Sequence, residues 1–219
     1  EEGAENTTSL DELLGGGDEG AAPAPVDQTP TQTTQPPPVD STVTDESTTT
    51  TSTTTTTTTT LPKEPVDYLA IGDSVMLGAA GVLKNRGYTV NAEVSRQMNQ
   101  AVPLMEQLGE ADVFGDPVII HLGTNGPISR ETLDALLAPL SRVPNVIMLN
   151  VHANRPWTAE NNRILAERDK PDGLDNIILI DWNSLANECP GDCFASDGIH
   201  LNAAGQQYYA DVIGDWTGR

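Results

Sequence analysis

Residues 66–75 read VDYLAIGDSV, and this stretch decides the fold. Its apolar first half predicts a buried strand at Val66–Ile71. The residues after Ser74 predict a helix at Val75–Asn85, with Gly87 as its stop. A strand that leads directly into a helix is the repeating unit of α/β proteins, so the same unit is expected again along the chain.

The remainder of the chain repeats this unit. Further strands are predicted at Tyr88–Val94, Val118–Leu122, Val146–Val151 and Ile177–Asp181. Further helices are predicted at Asn99–Leu108, Arg130–Leu140, Thr158–Arg168 and Ala203–Trp216. Short strands that alternate with helices are joined by right-handed crossovers into a parallel sheet. The sequence therefore predicts an α/β fold: a three-layer α/β/α sandwich around a five-stranded parallel sheet, as in flavodoxin-like proteins.

The N-terminal part of the chain differs from this pattern. Residues 1–62 contain 11 acidic residues and no Lys or Arg, and they include a proline-rich stretch and a threonine tract at 48–60. Such a composition cannot bury enough apolar surface to offset the entropy of ordering. We predict a disordered, acidic, Thr/Pro-rich linker at 1–62, followed by a folded domain at 63–219. Stalks of this kind are typical of glycosylated, extracellular proteins, although a disordered tail in a cytosolic protein remains an alternative.

Composition excludes several classes of function. The 219 residues include 32 Asp and Glu against 11 Lys and Arg, a formal charge of −21, which argues against binding to DNA or RNA. No apolar run approaches the roughly 20 residues that span a bilayer, so no transmembrane segment is predicted in this sequence. Nothing in the sequence predicts a cofactor. The absence of an initiator Met and of a signal peptide indicates a processed or excerpted piece.

Polar residues follow the predicted strands, at the edge where open α/β sheets bind ligands. Ser74 follows the first strand, Ser95 the second and Asn125 the third, and Asp197 and His200 lie in the loop after the fifth. A serine hydroxyl becomes a nucleophile when a base removes its proton, and a D-x-x-H spacing lets a carboxylate orient an imidazole for that purpose. An asparagine amide can stabilise the oxyanion of acyl transfer.

Each of these residues also has a structural interpretation when it is taken alone. Ser74 could be a helix N-cap, and Asp197 could cap a turn or a helix. His200 could be a surface histidine, and Asn125 could occupy a left-handed turn. Their common position at one edge of the predicted sheet is what favours a catalytic site.

Four motifs in order resemble the SGNH (GDSL-like) hydrolase family. They are GDSV at 72–75, AEVSRQ at 92–97, GTNG at 123–126 and DGIHL at 197–201, and the resemblance covers about residues 66–216. The resemblance implies an enzyme in which Ser74 is the nucleophile, His200 the base and Asp197 its partner. It also implies an oxyanion hole formed by the Ser74 N–H, a backbone N–H at Ser95 and the Asn125 side chain. Two departures are Ser95, where the family usually has Gly, and Gly126, where it often has Asp.

The motifs are most similar to those of one branch, the SGNH domains attached to membrane acyltransferase-3 proteins such as peptidoglycan O-acetyltransferases. This resemblance implies an extracytoplasmic domain, tethered by the linker, that moves an acetyl group through a Ser74 acyl-enzyme to a cell-wall glycan. The acetyl donor would be delivered by a membrane domain that is absent from this sequence. Two alternatives remain: an esterase that hydrolyses acyl esters of glycans or small esters, and a non-catalytic module that binds the cell wall.

The same edge of the sheet carries further candidates. Four residues are candidates for lining the pocket: Asp73, Gly123, His152 and Trp157. Cys189 and Cys193 are expected to form a disulfide that holds the loop with Asp197 and His200. A zinc site that combines both cysteines with His200 is a weaker alternative, since it lacks clustered ligands.

Overall fold

The computed structural model describes residues 64–169 and 176–219. The predicted linker at 1–62 lies outside the described residues and stays a prediction. Within the described part, no helix combines the length and the apolar character needed to cross a bilayer.

The described residues form alternating strands and helices. The strands are β1 (Leu69–Gly72), β2 (Thr89–Ala92), β3 (Val118–His121), β4 (Val146–Leu149) and β5 (Ile177–Ile180). The helices are α1 (Ser74–Gly78), α2 (Ala80–Asn85), α3 (Met98–Glu110), α4 (Arg130–Leu137), α5 (Thr158–Ala166), α6 (Trp182–Asn187) and α7 (Ala203–Thr217), with one turn of 3-10 helix at Ala138–Leu140 after α4.

The five strands make one parallel sheet in the order β2-β1-β3-β4-β5. The last residue of β1, Gly72, lies opposite Ala92 of β2 and His121 of β3. The loops that follow these three strands therefore start side by side at one edge of the sheet. The predicted α/β fold with a five-stranded parallel sheet is confirmed.

Apolar side chains alternate between the two faces of the sheet and form two cores. Val118 and Ile120 of β3 pack into the core beneath α3, α4 and α5, whereas Ile119 packs into the core beneath α1, α2, α6 and α7. Both faces are thus covered by helices, which explains why the strands read as continuous apolar runs. The described part of the chain is the expected three-layer α/β/α sandwich.

Two helical segments differ from the sequence prediction. The helix expected at Val75–Asn85 is divided into α1 and α2 at Ala79, next to Gly78, a residue with low helix propensity. Helix α6 was not predicted, because it is only six residues long and carries little periodicity. It begins at a capping carboxylate, Asp181, which accepts a hydrogen bond from the Ser184 N–H at 3.1 Å.

Candidate active site

The turn between β1 and α1 places Ser74 at the first position of a helix. The N-cap of that helix is Asp73, whose Oδ1 accepts a hydrogen bond from the Val75 N–H at 3.0 Å. Ser74 is therefore not the cap that one interpretation of the sequence suggested. Asp73 itself is fully buried, so its carboxylate stabilises the turn and does not line a surface pocket.

Three of the expected residues lie in a continuous chain of hydrogen bonds. The Ser74 Oγ is 3.0 Å from His200 Nε2, and His200 Nδ1 is 2.6 Å from Asp197 Oδ2. Since a carboxylate only accepts, the Nδ1–H donates to Asp197, and Nε2 is left as the acceptor for the serine proton. This is the arrangement in which an imidazole can act as a general base towards a serine.

The Asp197 carboxylate is held by backbone as well as by His200. Its Oδ1 accepts hydrogen bonds from the N–H groups of Ile199 at 2.9 Å and His200 at 3.0 Å. Partial burial raises the pKa of Asp197, but the hydrogen bonds from the His200 ring and from these two N–H groups together lower it to about 2. The carboxylate is therefore charged at any pH near neutrality.

A hairpin that directly follows the disulfide-closed loop at 189–193 presents Asp197 and His200. Phe194 and Leu201 form an antiparallel bridge, and the Ala195 N–H donates to the His200 carbonyl at 2.7 Å. Cys189 and Cys193 are joined by a disulfide, as expected from the sequence. The disulfide leaves no cysteine thiolate to bind zinc, so the zinc alternative does not hold.

Asn202 links this hairpin to helix α7. Its Oδ1 caps the helix by accepting from the N–H groups of Ala204 and Gly205, at 3.0 and 3.1 Å. Its Nδ2 donates to the carbonyls of Asp192 at 3.0 Å and Phe194 at 3.3 Å. One side chain thus joins a long helix that packs on the sheet to the loop that carries the imidazole, which limits movement of His200 relative to the sheet.

The two other expected oxyanion donors lie on the neighbouring loops. Ser95 has φ +61, in the left-handed region that favours glycine, which accounts for the Gly that the family usually has there. Asn125 is half-buried, and its Nδ2 donates to the carbonyl of Arg96 at 3.3 Å. The loops after β2 and β3 are therefore in direct contact beside the loop that carries Ser74.

The loop after β3 has a fixed shape that depends on Asn161 of α5. Asn161 is fully buried; its Nδ2 donates to the carbonyls of Gly123 at 2.9 Å and Gly126 at 2.8 Å, and its Oδ1 accepts from the Ile128 N–H at 2.8 Å. Gly123 has φ +121, and a Cβ there would lie 2.8 Å from Ile128 Cδ1. Gly123 thus supports the shape of the loop that carries Asn125.

Replacing Asn161 by alanine is expected to lower the free energy of unfolding by about 2–4 kcal/mol, because three buried backbone groups lose their partners. Urea unfolding of Asn161→Ala beside the parent chain measures this. The exposed Asn154, changed to alanine as a control, is expected to stay within about 0.5 kcal/mol. Equal stability of the two variants would contradict the role given to Asn161.

His152 and Trp157 are both half-buried near the same edge. His152 Nδ1 lies 3.3 Å from Asn183 Oδ1, and its ring centroid is 5.1 Å from that of Phe194 in the hairpin. Trp157 donates from its indole N–H to the Thr124 carbonyl at 3.2 Å. Both side chains support loops of the site, and whether they also touch substrate stays a prediction.

The third histidine, His121, is a core residue. It is 1% exposed, its Nδ1 lies 2.8 Å from the Tyr209 hydroxyl, and burial lowers its pKa. Among the described residues, no group of three or more His, Cys, Asp or Glu side chains is arranged to hold a metal ion.

Known proteins share this fold and these motifs, although no family model matches the sequence. The C-terminal catalytic domain of peptidoglycan O-acetyltransferase A from Streptococcus pneumoniae superposes with a TM-score of 0.59 at 25% identity, over 69% of this chain and 92% of that domain. A GDSL-like lipase from Bacteroides thetaiotaomicron shares the fold, with a TM-score of 0.53 at 17% identity over 69% of this chain and 87% of the lipase. The domain therefore resembles the SGNH (GDSL-like) hydrolase family in its fold and in its four ordered motifs.

The sequence relatives of the chain include O-acetyltransferases, some of which act on peptidoglycan by name. The peptidoglycan O-acetyltransferase OatA of Listeria monocytogenes is 31% identical over 148 residues, which are 66% of this chain and 23% of the relative. The chain thus spans about a quarter of the length of the relatives it matches.

Proposed function

We propose that this domain is a serine-dependent O-acetyltransferase that moves an acetyl group onto a hydroxyl of peptidoglycan. The observation that carries the proposal is the chain of hydrogen bonds from Asp197 through His200 to Ser74. The acetyltransferase names of the sequence relatives support acetyl as the transferred group and peptidoglycan as the acceptor.

In the first half of the reaction, the Ser74 oxygen attacks the acetyl carbonyl while His200 Nε2 accepts the serine proton. The negative charge that develops on the carbonyl oxygen is stabilised by the N–H groups of Ser74 and Ser95 and by the Asn125 amide. The bond to the donor then breaks, and the imidazolium returns the proton to the leaving oxygen. The product is acetyl-Ser74, with the hydrogen-bonded Asp197 carboxylate stabilising the imidazolium meanwhile.

In the second half, a sugar hydroxyl takes the place of the leaving group. His200 accepts its proton as the sugar oxygen attacks the acetyl-Ser74 carbonyl, and the Ser74 oxygen leaves with that proton. The side chains of His200 and Asp197 are 48% and 45% exposed, so the site is open enough for a bulky glycan. The same openness admits water, which is why an esterase remains the second candidate.

The acceptor separates the two candidates. Purified chain is given a chromogenic acetyl ester with and without a muropeptide-like oligosaccharide, and acetylated sugar is measured by mass spectrometry. We expect sugar acetate well above the level formed without enzyme, and none with Ser74→Ala. If all of the acetyl group is recovered as free acetate, the enzyme is an esterase.

We also propose that the domain works outside the cytoplasm beside a membrane domain that supplies the acetyl group. The disulfide supports an oxidising compartment, because such bonds persist in secreted domains and are rare in the cytosol. Protease treatment of intact cells that express the whole natural protein tests this. The domain is expected to be cleaved without lysis, and protection until lysis would contradict the proposal.

The rate of acetyl release is expected to depend on pH through the imidazole base, because only neutral imidazole can accept the serine proton. Asp197 adds no second step near neutrality, since its pKa of about 2 keeps it ionised there. The profile of kcat/KM for a small acetyl ester should therefore show one ionisation on its acid side. A flat profile would exclude an imidazole base.

A non-catalytic wall-binding module is the third candidate. A binding module has no requirement for a serine hydroxyl, an imidazole and a carboxylate in one hydrogen-bonded line, so the geometry of the site favours catalysis. Binding of insoluble peptidoglycan without turnover of any acetyl ester would favour the module instead.

A further inference from the structure

A buried guanidinium lies beneath the three loops of the site. Arg96 follows Ser95 on the loop after β2, and it is 9% exposed. Charged side chains are rarely buried unless they are paired and hydrogen-bonded, so the partners of this one indicate what it does.

The Arg96 guanidinium joins the end of β1 to the end of β2. Its Nη1 donates to the carbonyls of Gly72 at 3.1 Å and Asn91 at 2.9 Å. Its Nη2 donates to Asn91 Oδ1 at 2.7 Å and to Glu93 Oε2 at 3.2 Å. Gly72 comes two residues before Ser74, and Glu93 two residues before Ser95. The planar fork thus ties together the segments that carry two of the three oxyanion donors.

The main chain of Arg96 holds the third donor. Its carbonyl accepts the hydrogen bond from Asn125 Nδ2 at 3.3 Å. A side-chain amide has two N–H bonds, so this contact fixes the plane of the amide and leaves the second N–H for a developing oxyanion. Arg96 therefore contacts, through its side chain or main chain, the last residue of β1 and the loops after β2 and β3.

The energetics favour a positioning role over simple stabilisation. Burial lowers the pKa of Arg96, and the charge of Glu93 opposes that effect. The Glu93 side chain is 70% exposed, so this ion pair is screened by water and contributes little stability. What the fork provides that an apolar side chain would not is a fixed geometry between two backbone segments, the end of β1 and the end of β2.

We propose that Arg96 is the positioning residue of the oxyanion hole. It does not touch substrate; it keeps the Ser95 N–H and the Asn125 amide at the spacing that the tetrahedral intermediate requires. The proposal rests on the proposed acetyl-transfer function, because it assigns no role to Arg96 outside that site.

The first test is the conservative variant Arg96→Lys in the 219-residue chain. Lysine keeps the charge but cannot bridge Gly72 and Asn91 with a planar fork. We expect kcat for a chromogenic acetyl ester to fall about 10- to 100-fold with KM within about 2-fold, as for partial loss of oxyanion stabilisation. The matched control is Arg130→Lys, which changes a surface pair between Arg130 of α4 and Glu167 at the end of α5 and should leave both constants unchanged. A changed KM with an unchanged kcat would overturn the proposal.

A double-mutant cycle separates positioning from general loosening of the fold. If Arg96 acts through the oxyanion hole, its replacement should matter less when Asn125 is already alanine. We expect Arg96→Lys to lower kcat less than about 3-fold in the Asn125→Ala background. If the fold-losses in kcat of the two single variants multiply in the double variant, the proposal is overturned. Glu93→Gln alters only an exposed partner of the fork, so it tests the proposal even if Arg96→Lys does not fold. We expect a smaller loss of kcat in Glu93→Gln, and a further reduction of that loss in the Asn125→Ala background.

Failure of this inference can be told apart from failure of the proposed function. If the Ser74→Ala variant still turns over an acetyl ester, both the proposed function and the positioning role of Arg96 in the oxyanion hole are excluded. The other case is that turnover requires Ser74, but the losses of kcat in Arg96→Lys and Asn125→Ala multiply in the double variant. Only the positioning role of Arg96 is then excluded.

Discussion

Ser74→Ala is expected to lower turnover of any acetyl ester by at least about 10³-fold, to a level close to background. Alanine cannot form an acyl-enzyme, and no second hydroxyl is hydrogen-bonded to His200 among the described residues. Stability should change by less than about 1 kcal/mol, because the helix cap is Asp73 and alanine is a better helix former than serine. Initial rates and urea unfolding measure the two effects.

Ser129→Ala is the matched control for this experiment. Ser129 is the true cap of α4, where its Oγ accepts from the Thr132 N–H at 3.1 Å. Its replacement should lower the free energy of unfolding by about 1 kcal/mol and leave turnover intact. Ser74→Ala should thus lower turnover and not stability, whereas Ser129→Ala should lower stability and not turnover. Normal turnover in the Ser74 variant would remove Ser74 from the mechanism.

Asp197→Asn is expected to lower kcat by about 10³- to 10⁴-fold with little change in stability. The asparagine Oδ1 can keep the two backbone bonds to Ile199 and His200, so the turn persists. Its amide nitrogen, however, would donate towards His200 Nδ1 and shift the ring proton to Nε2. The imidazole could then no longer accept a proton from Ser74.

Asp192→Asn provides a control at an aspartate close to Asp197 in the chain. Asp192 is exposed and accepts from the Phe194 N–H at 3.4 Å, away from the imidazole. Its replacement should leave kcat within about 2-fold. If both aspartate variants keep full activity, the carboxylate at 197 only shapes the turn.

The sequence predicts the sheet well because its signal is local. Runs such as VII at 118–120 are apolar throughout, and this is sufficient to place a strand that is covered on both faces. Once parallel strands are in place, residues that follow them must share an edge, so Ser74, Asn125 and His200 could be assigned to one site from order alone.

The supporting residues could not be found in this way. Asn161 lies 35 residues after Gly126 along the chain, and nothing in its local sequence marks it as the partner of that loop. The bonds of Arg96 depend on the distance between two strand ends. These are properties of tertiary packing, and the motifs do not predict them.

Labelling with a sulfonyl fluoride tests the central claim most directly, because the reagent needs an activated serine and no acetyl donor. The folded 219-residue chain is treated with the reagent, and the adduct is located by peptide mass spectrometry while residual turnover is followed. We expect one adduct per chain on Ser74, formed in step with the loss of turnover and much more slowly in Asp197→Asn. A chain that stays active and unlabelled at Ser74, or one that is inactivated by an adduct elsewhere, would contradict the assignment of Ser74 as the nucleophile.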